Sequence, residues 1–257
     1  MDYSAVIPLF NESRNIAELY KRLKIVLDKL GGTYEIVIVD DGSTDDSFEL
    51  LKNIAFTDRA VKIVRFDRNY GQHKAITAGV LEAAGDYVIT LDADLQNPPE
   101  EIEKLLQKSK EGYDMVAGYR KIRKDSLTRR VGSFATNLVI SMINGLRMRD
   151  YGSMLRVFKN NVAKSMVLEY LKSGGYITML IAKVTRNVAE VEVKHDERHA
   201  GNSKYNIMTL APLFYKIIFY YNDGVRKLVK KDEEGPAYMI ERKIEHGKEL
   251  IIPDTHR

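Results

Sequence analysis

Four times in the first 120 residues, a short, mostly apolar run gives way to a stretch with a helical apolar period. The runs are Tyr3 to Leu9 (broken at Pro8), "YEIVIVD" from Tyr34, "VKIVRF" from Val61 and "DYVITLD" from Asp86; a fifth, "YDMVAGYR", starts at Tyr113. Between the first two, Ile16, Leu19, Leu23, Val26, Leu27 and Leu30 recur at three- and four-residue steps and stop at Gly31-Gly32, which predicts a helix. Further helices are expected from about Phe48 to Phe56, from Gln72 to Ala84 and from 98 to 110. A run with no polar alternation suits a strand covered on both faces, as in a parallel sheet. The reading is therefore an α/β fold with a mostly parallel central sheet flanked by helices.

Beyond residue 120 the pattern changes. Residues 119 to 130, "YRKIRKDSLTRR", carry six basic residues against one acid. A helical segment to about Gly145 follows, then "RDYGSMLRVF", helices near 161 to 172 and 176 to 185, and the alternating strand "VAEVEVKH". Ile207 to Tyr221 is apolar except for Thr209 and Lys216, after which the chain turns charged to its end.

Three strands end in polar residues: Asp40-Asp41-Gly42-Ser43, Asn69-Tyr70-Gly71-Gln72 and Asp92-Ala93-Asp94. Ligands bind at the carboxyl ends of the strands in open parallel sheets. Asp92 and Asp94, two apart, face one side if extended geometry persists. Two hard carboxylates so placed suit Mg²⁺ or Mn²⁺, with Gln96 as a neutral oxygen donor. Asp and Asn also favour turns, which would explain an isolated Asp-x-Asp; two further polar strand ends favour a ligand site. In "QNPPEE", Asn97 reads as a helix cap, with Pro98 at the first helical position and Glu100 as the reciprocal carboxylate.

The segments "VIPLFNES", "VDDGSTDDS", "RNYGQHKAITAG" and "LDADLQNPPEEI", in that order, closely resemble family 2 glycosyltransferases of the GT-A (Rossmann-like) fold. Within these the likeness is to polyprenyl-phosphate glycosyltransferases such as dolichyl-phosphate mannose synthase. "DYGSMLRVF" and "HDERHAGNSKY" look most like the bacterial undecaprenyl-phosphate 4-deoxy-4-formamido-L-arabinose transferase branch, with Ser153 where that branch often has cysteine. The resemblance covers about residues 4 to 222. It implies that Pro8, Phe10, Glu12 and Asp40, with Lys74 and Ala93, line the nucleotide-sugar pocket. By the same resemblance Asp92, Asp94 and Gln96 hold the metal and donor pyrophosphate. It also implies inversion in one displacement, UDP as the preferred nucleotide with GDP open, and no covalent glycosyl-enzyme.

A phosphate monoester acceptor needs no general base, because its second pKa is about 6. It needs cations. The resemblance places Arg120, Arg129 and Ser133 beside the acceptor phosphate, and "HDERHAGNSKY" adds Arg198, Ser203 and Lys204. Asp150 matches an acid facing the acceptor, an orienting or base residue; Asp94, Asp150 and Arg120 form the expected catalytic set. His195 and His199 are four apart, but the strand-like alternation before them argues against a zinc helix.

The division expected is a catalytic domain over 1–205, an interfacial amphipathic helix over 206–231 and a charged tail over 232–257. From Pro212, the residues Phe214, Ile218, Tyr221, Val225 and Leu228 form a stripe, followed by Arg226, Lys227, Lys230 and Lys231. Ile207 to Tyr221 would be about 22 Å long as a helix, too short for a core of roughly 30 Å. The tail is expected to dock on a neighbouring subunit, in a homo-oligomer, or to stay disordered.

No cysteine occurs, which excludes disulfides and thiolate metal sites and fits a reducing cytosol. The start lacks a signal-peptide layout. The net charge of +4 is too small and diffuse to imply nucleic acid. The expected protein is peripheral on the cytoplasmic face of the membrane, taking a nucleotide-sugar donor and a polyprenyl phosphate acceptor. The bacterial relatives usually continue into transmembrane helices after the position of residue 222, where this sequence turns charged. That keeps a soluble glycan or protein hydroxyl open as acceptor. A non-catalytic nucleotide-sugar-binding subunit is the reading of another class, and the filled acidic and basic positions argue against it.

Overall fold

The computed structural model describes residues 1–120, 137–138, 140–142, 144–174, 177–196 and 238–252. Alternation over the first 120 residues is as the sequence predicts. The order is β1 (Tyr3–Leu9), α1 (Ile16–Leu30), β2 (Tyr34–Asp40), α2 (Ser47–Thr57), β3 (Val61–Phe66), α3 (Gln72–Glu82), β4 (Tyr87–Thr90), α4 (Ile102–Ser109) and β5 (Met115–Arg120). Then follow β6 (Arg156–Lys159), α5 (Asn160–Ser173), the single turn α6 (Ile181–Val184), β7 (Val188–Val193) and the pair β8 (Ile240–Glu245) and β9 (Lys248–Ile251).

All these strands form one sheet in the order β7-β5-β6-β4-β1-β2-β3-β8-β9. β1 pairs in parallel with β2 and β4, β2 with β3, and β5 with β7; β6 and β8 run against their neighbours. Every residue of β1 is buried, Ser4 and Pro8 included, as a strand covered on both faces requires. One face packs under α1, α2 and α4 around Leu23, Leu27, Ile38, Phe48 and Leu106. The other packs under α3 and α5 around Val6, Ile76, Val80, Met166 and Val167. Gly79 permits the close seat of α3: a Cβ there would lie 2.4 Å from Val6 Cγ1.

The chain runs β1 to β2 to β3 in one direction, then crosses back through α3 to lay β4 on the other side of β1. This reversal makes the carboxyl ends of β1 and β4 the topological switch point, the place where open α/β sheets take their ligands.

Three local expectations are corrected. Asn97 is not a helix cap: the turn starts as a 3₁₀ segment at Pro99–Glu101, preceded by Pro98, with no side-chain cap. The buried Oδ1 of Asn97 has no hydrogen-bond partner among the described residues, while Glu100 instead forks onto Arg22 at 2.6 and 2.9 Å. A charged partner within reach outcompetes the backbone amide that a capping box would use. The helix expected over 176 to 185 breaks into a 3₁₀ turn, Ile177–Met179, and the short α6.

Residues 238–252 of the charged tail are part of the fold rather than disordered: β8 and β9 extend the sheet beyond β3. His246 (φ 53°) and Gly247 (φ 73°) make the two-residue turn with positive φ that matches strand twist. Its charges find partners: Lys62 Nζ is 3.1 Å from Glu245 and 3.3 Å from Glu35, Lys243 is 2.6 Å from Glu82, and Lys52 is 2.7 Å from Glu249. The segment 206–231, with its expected amphipathic helix, lies outside the described residues. Among the described residues no helix is long and apolar enough to cross a membrane.

Candidate active site

The loops after β1 and β2 are laced together. The Asn11 N–H donates to Ser43 Oγ (2.9 Å), the Thr44 N–H to Asn11 Oδ1 (2.8 Å) and the Glu12 N–H to Ser47 Oγ (3.0 Å). Asn11 is held at φ 55°, a left-handed conformation that asparagine tolerates. Pro8 is buried in β1, and Phe10 and Glu12 are half-buried beyond its end. Asn15 Nδ2 donates to the Glu12 carboxylate at 2.6 Å.

Asp40 ends β2 fully buried. Oδ1 accepts the Ser43 N–H (2.9 Å), and Oδ2, 3.6 Å from Arg65 Nε, has no hydrogen bond. Burial pushes its pKa up, against the Ser43 hydrogen bonds and the Arg65 charge, which hold it down. Asp41, which sequence reasoning did not assign to the site, accepts the N–H groups of Tyr70 (2.6 Å) and Gly71 (2.9 Å). It thereby ties the end of β2 to the start of α3. Gly42 makes the approach possible: it sits at φ 69°, and a Cβ would lie 2.4 Å from the Arg68 carbonyl carbon. Lys74, on the first turn of α3, reaches to 5.3 Å from the Tyr70 ring centroid, and Arg68 to 5.0 Å.

β4 stops at Thr90, so the extended geometry expected to align Asp92 with Asp94 does not continue through them. Asp92, partly exposed, accepts from Gln72 Nε2 at 2.6 Å. Asp94 is buried, and its Oδ1 accepts the Gln96 N–H at 3.1 Å. Between them Ala93 is buried, and Leu95 adopts φ 61°, an uncommon conformation for a leucine. The Gln96 carbonyl accepts the Asp196 N–H at 2.9 Å, linking this turn to the residues after β7.

His73 neighbours Gln72 on α3. Enclosure of its ring lowers its pKa to about 4. The unfolded chain takes a proton near 6.5, the folded one only near 4, so the stability is fully present above 6.5 and lost as pH falls towards 4. Denaturant titrations should show up to about 3 kcal/mol lost across that window through this group, and His73→Gln should flatten that part of the profile.

Further along the same sheet edge, Arg120 ends β5 and grips Asp150: Nε to Oδ2 is 2.6 Å and Nη2 to Oδ1 is 3.0 Å. Asp150 is almost wholly buried and also accepts the Gly152 N–H at 3.1 Å. Two residues that sequence reasoning missed hold this loop. Glu190 on β7, its pKa raised by burial, accepts the Arg149 N–H (2.8 Å) and the Asp150 N–H (3.3 Å). Arg156 is fully buried at the start of β6 and donates to the carbonyls of Ser153 (2.9 Å) and Tyr151 (2.7 Å). Burial lowers its pKa to about 10, so it remains a cation at neutral pH. The signal for Arg156 was an arginine inside the apolar run "MLRVF"; Glu190 had none beyond strand alternation.

β1 to β5 all end at one edge of the sheet except that β6, running oppositely, begins there. Pro8, Phe10, Glu12, Asp40, Lys74, Asp92, Asp94, Gln96, Arg120 and Asp150 are thus gathered along one edge. Arg129, Ser133, Arg198, Ser203 and Lys204 lie outside the described residues.

A sheet of this order, with polar strand ends on both sides of the switch point, defines an open α/β fold of the nucleotide-binding type. The chain belongs to glycosyl transferase family 2, whose family model matches residues 4–172. It is 45% identical over 216 residues to the undecaprenyl-phosphate 4-deoxy-4-formamido-L-arabinose transferase of Edwardsiella ictaluri (strain 93-146), covering 84% of this chain and 66% of that protein. The chain thus spans just under two thirds of the length of such relatives. Among solved structures it resembles mannosyl-3-phosphoglycerate synthase from Rubrobacter xylanophilus (TM-score 0.62, 13% identity, 92% of this chain and 79% of that one). It also resembles glucosyl-3-phosphoglycerate synthase from Mycobacterium tuberculosis, solved with Mn²⁺, UDP and phosphoglyceric acid (TM-score 0.59, 18% identity, 85% and 76%). The fold is GT-A.

Proposed function

We propose that this chain is an inverting, metal-dependent glycosyltransferase that moves a sugar from a nucleotide-sugar, UDP-linked by preference, to a polyprenyl phosphate. One observation carries the reading: the polar strand ends gather along a single sheet edge, with Asp40, Asp92 and Asp94 around the switch point and the Arg120–Asp150 pair beyond β6. The relatives named for transfer to undecaprenyl phosphate support the acceptor. The similar fold solved with Mn²⁺ and UDP supports the donor and metal.

The donor set fits a divalent ion. Asp92 and Asp94 are hard oxygen donors, and among the described residues no group of three or more acidic or histidine side chains could enclose a metal by itself. Mg²⁺ and Mn²⁺ are commonly held by one or two carboxylates, with substrate phosphates and water completing the shell. Asp92 and Asp94, with Gln96, would hold the ion, which when bound offsets the charge of the departing diphosphate. Gln72, at the start of α3, holds Asp92, and the turn at Leu95 fixes Asp94.

On the acceptor side, a dianionic phosphate needs orientation rather than deprotonation. The engagement of Asp150 by Arg120 supports an orienting role for Asp150: its carboxylate aims the guanidinium and tempers its charge. The expected location is the cytoplasmic membrane face, with peripheral attachment through residues 206–231. Thermal-shift screening of UDP- and GDP-sugars with Mg²⁺ or Mn²⁺ tests the donor half. A metal-dependent rise in melting temperature with UDP-sugars is expected; none with either nucleotide would overturn the reading.

A further inference from the structure

The hairpin formed by β8 and β9 lies beyond the residues matched by the family model, yet its first residues meet the donor edge of the sheet. Tyr238 stacks on Phe66 with ring centroids 4.7 Å apart, and Phe66 in turn meets the Tyr70 ring edge-on at 5.6 Å. The pairing of β3 with β8 slips at this end: Arg65 faces Arg242, but Phe66 faces Ile240. Glu241 is therefore the extra residue of a bulge. Bulges next to functional sites re-aim a side chain. The Glu241 carboxylate lies between two arginines, Oε1 3.5 Å from Arg242 Nε and Oε2 3.6 Å from Arg65 Nε.

Arg65 Nε is also 3.6 Å from Asp40 Oδ2, so it stands equidistant from the two carboxylates, and neither separation is a hydrogen bond. The guanidinium is steadied by the Phe48 ring, 4.1 Å below it. Asp40 Oδ2 is left as a buried acceptor without a hydrogen bond, which is costly unless a ligand uses it.

We propose that the C-terminal hairpin is part of the donor site, with the bulged Glu241 a positioning residue that holds Arg65 off Asp40, so that the buried Asp40 Oδ2 stays unpaired with the guanidinium and can accept from a nucleotide when the donor loops admit it. This rests on the reading of Asp40 as a donor-site residue. Without the Glu241 charge, Arg65 closes onto Asp40 and occupies the acceptor.

Isothermal titration of the full chain with UDP and with GDP, in Mg²⁺, tests it. Glu241→Gln should raise the Kd of whichever nucleotide binds by about three- to fivefold, the scale of a half-exposed ion pair. The donor KM should rise in step, while kcat and the acceptor KM hold. Glu245→Gln, at the far end of β8 where it pairs with Lys62, should leave the Kd unchanged. An unchanged Kd in Glu241→Gln, or equal weakening by Glu245→Gln, would overturn the positioning role. If the wild type binds neither nucleotide, the donor reading fails first, and this inference with it.

Discussion

Asp94→Asn is expected to lower transfer at least about a hundredfold, the scale of losing one preorganised charge at a developing anion. The substitution keeps shape and volume. Asp94 is buried, and its Oδ1 already accepts the Gln96 N–H, so an asparagine oxygen preserves the turn at Leu95. What disappears is half of the negative charge available to a divalent ion, since Asp92 is left as the remaining carboxylate of the pair. Titration with UDP in the presence and absence of Mg²⁺ should show that metal-linked affinity falls while metal-free affinity holds. Unchanged metal-linked binding together with near wild-type turnover would remove Asp94 from the metal site.

Arg120→Ala should have two separable consequences. The first is structural. Asp150 is buried, and Arg120 supplies its two-pronged partner, so truncation removes two charge-assisted hydrogen bonds from a buried carboxylate. Breaking such a pair by removing one partner costs about 3 kcal/mol. The second is functional: transfer should be lost beyond any effect of stability. Asp150→Asn separates the two. It keeps acceptor oxygen for Arg120 without the buried charge, so the fold should hold while the acceptor KM rises. If Arg120→Ala folds as stably as the wild type and retains its acceptor KM, neither the ion pair nor the acceptor role stands as described.

The first 120 residues were legible because burial on both faces of β1 and β2 leaves a run with no polar alternation, a pattern that little else produces. The acids at the strand ends were legible for a related reason: charge at the end of an apolar strand has a place in the fold before it has a partner. What escaped depended on distant partners. Arg156 is fully buried because the carbonyls of Tyr151 and Ser153 turn back to receive it, and Asp150 is oriented by Arg120 from a strand 30 residues earlier. Glu100 followed the same logic in reverse, abandoning the local cap for Arg22, 78 residues away. The hairpin of β8 and β9 was hidden because "IERKIEHGKELI" alternates weakly and turns on His246-Gly247 rather than on asparagine or aspartate. Its charges, read alone, suit solvent; paired with Lys52, Lys62 and Glu82 they make a sheet edge.

The most direct test of the account is transfer itself. Purified protein with Mg²⁺ and a radiolabelled UDP-sugar should move label into the organic phase when a short-chain polyprenyl phosphate is supplied, and Asp94→Asn should abolish it. Label appearing instead on a soluble glycan or protein hydroxyl, with none extracted on the lipid, would contradict the acceptor assignment and with it the role given to Arg120.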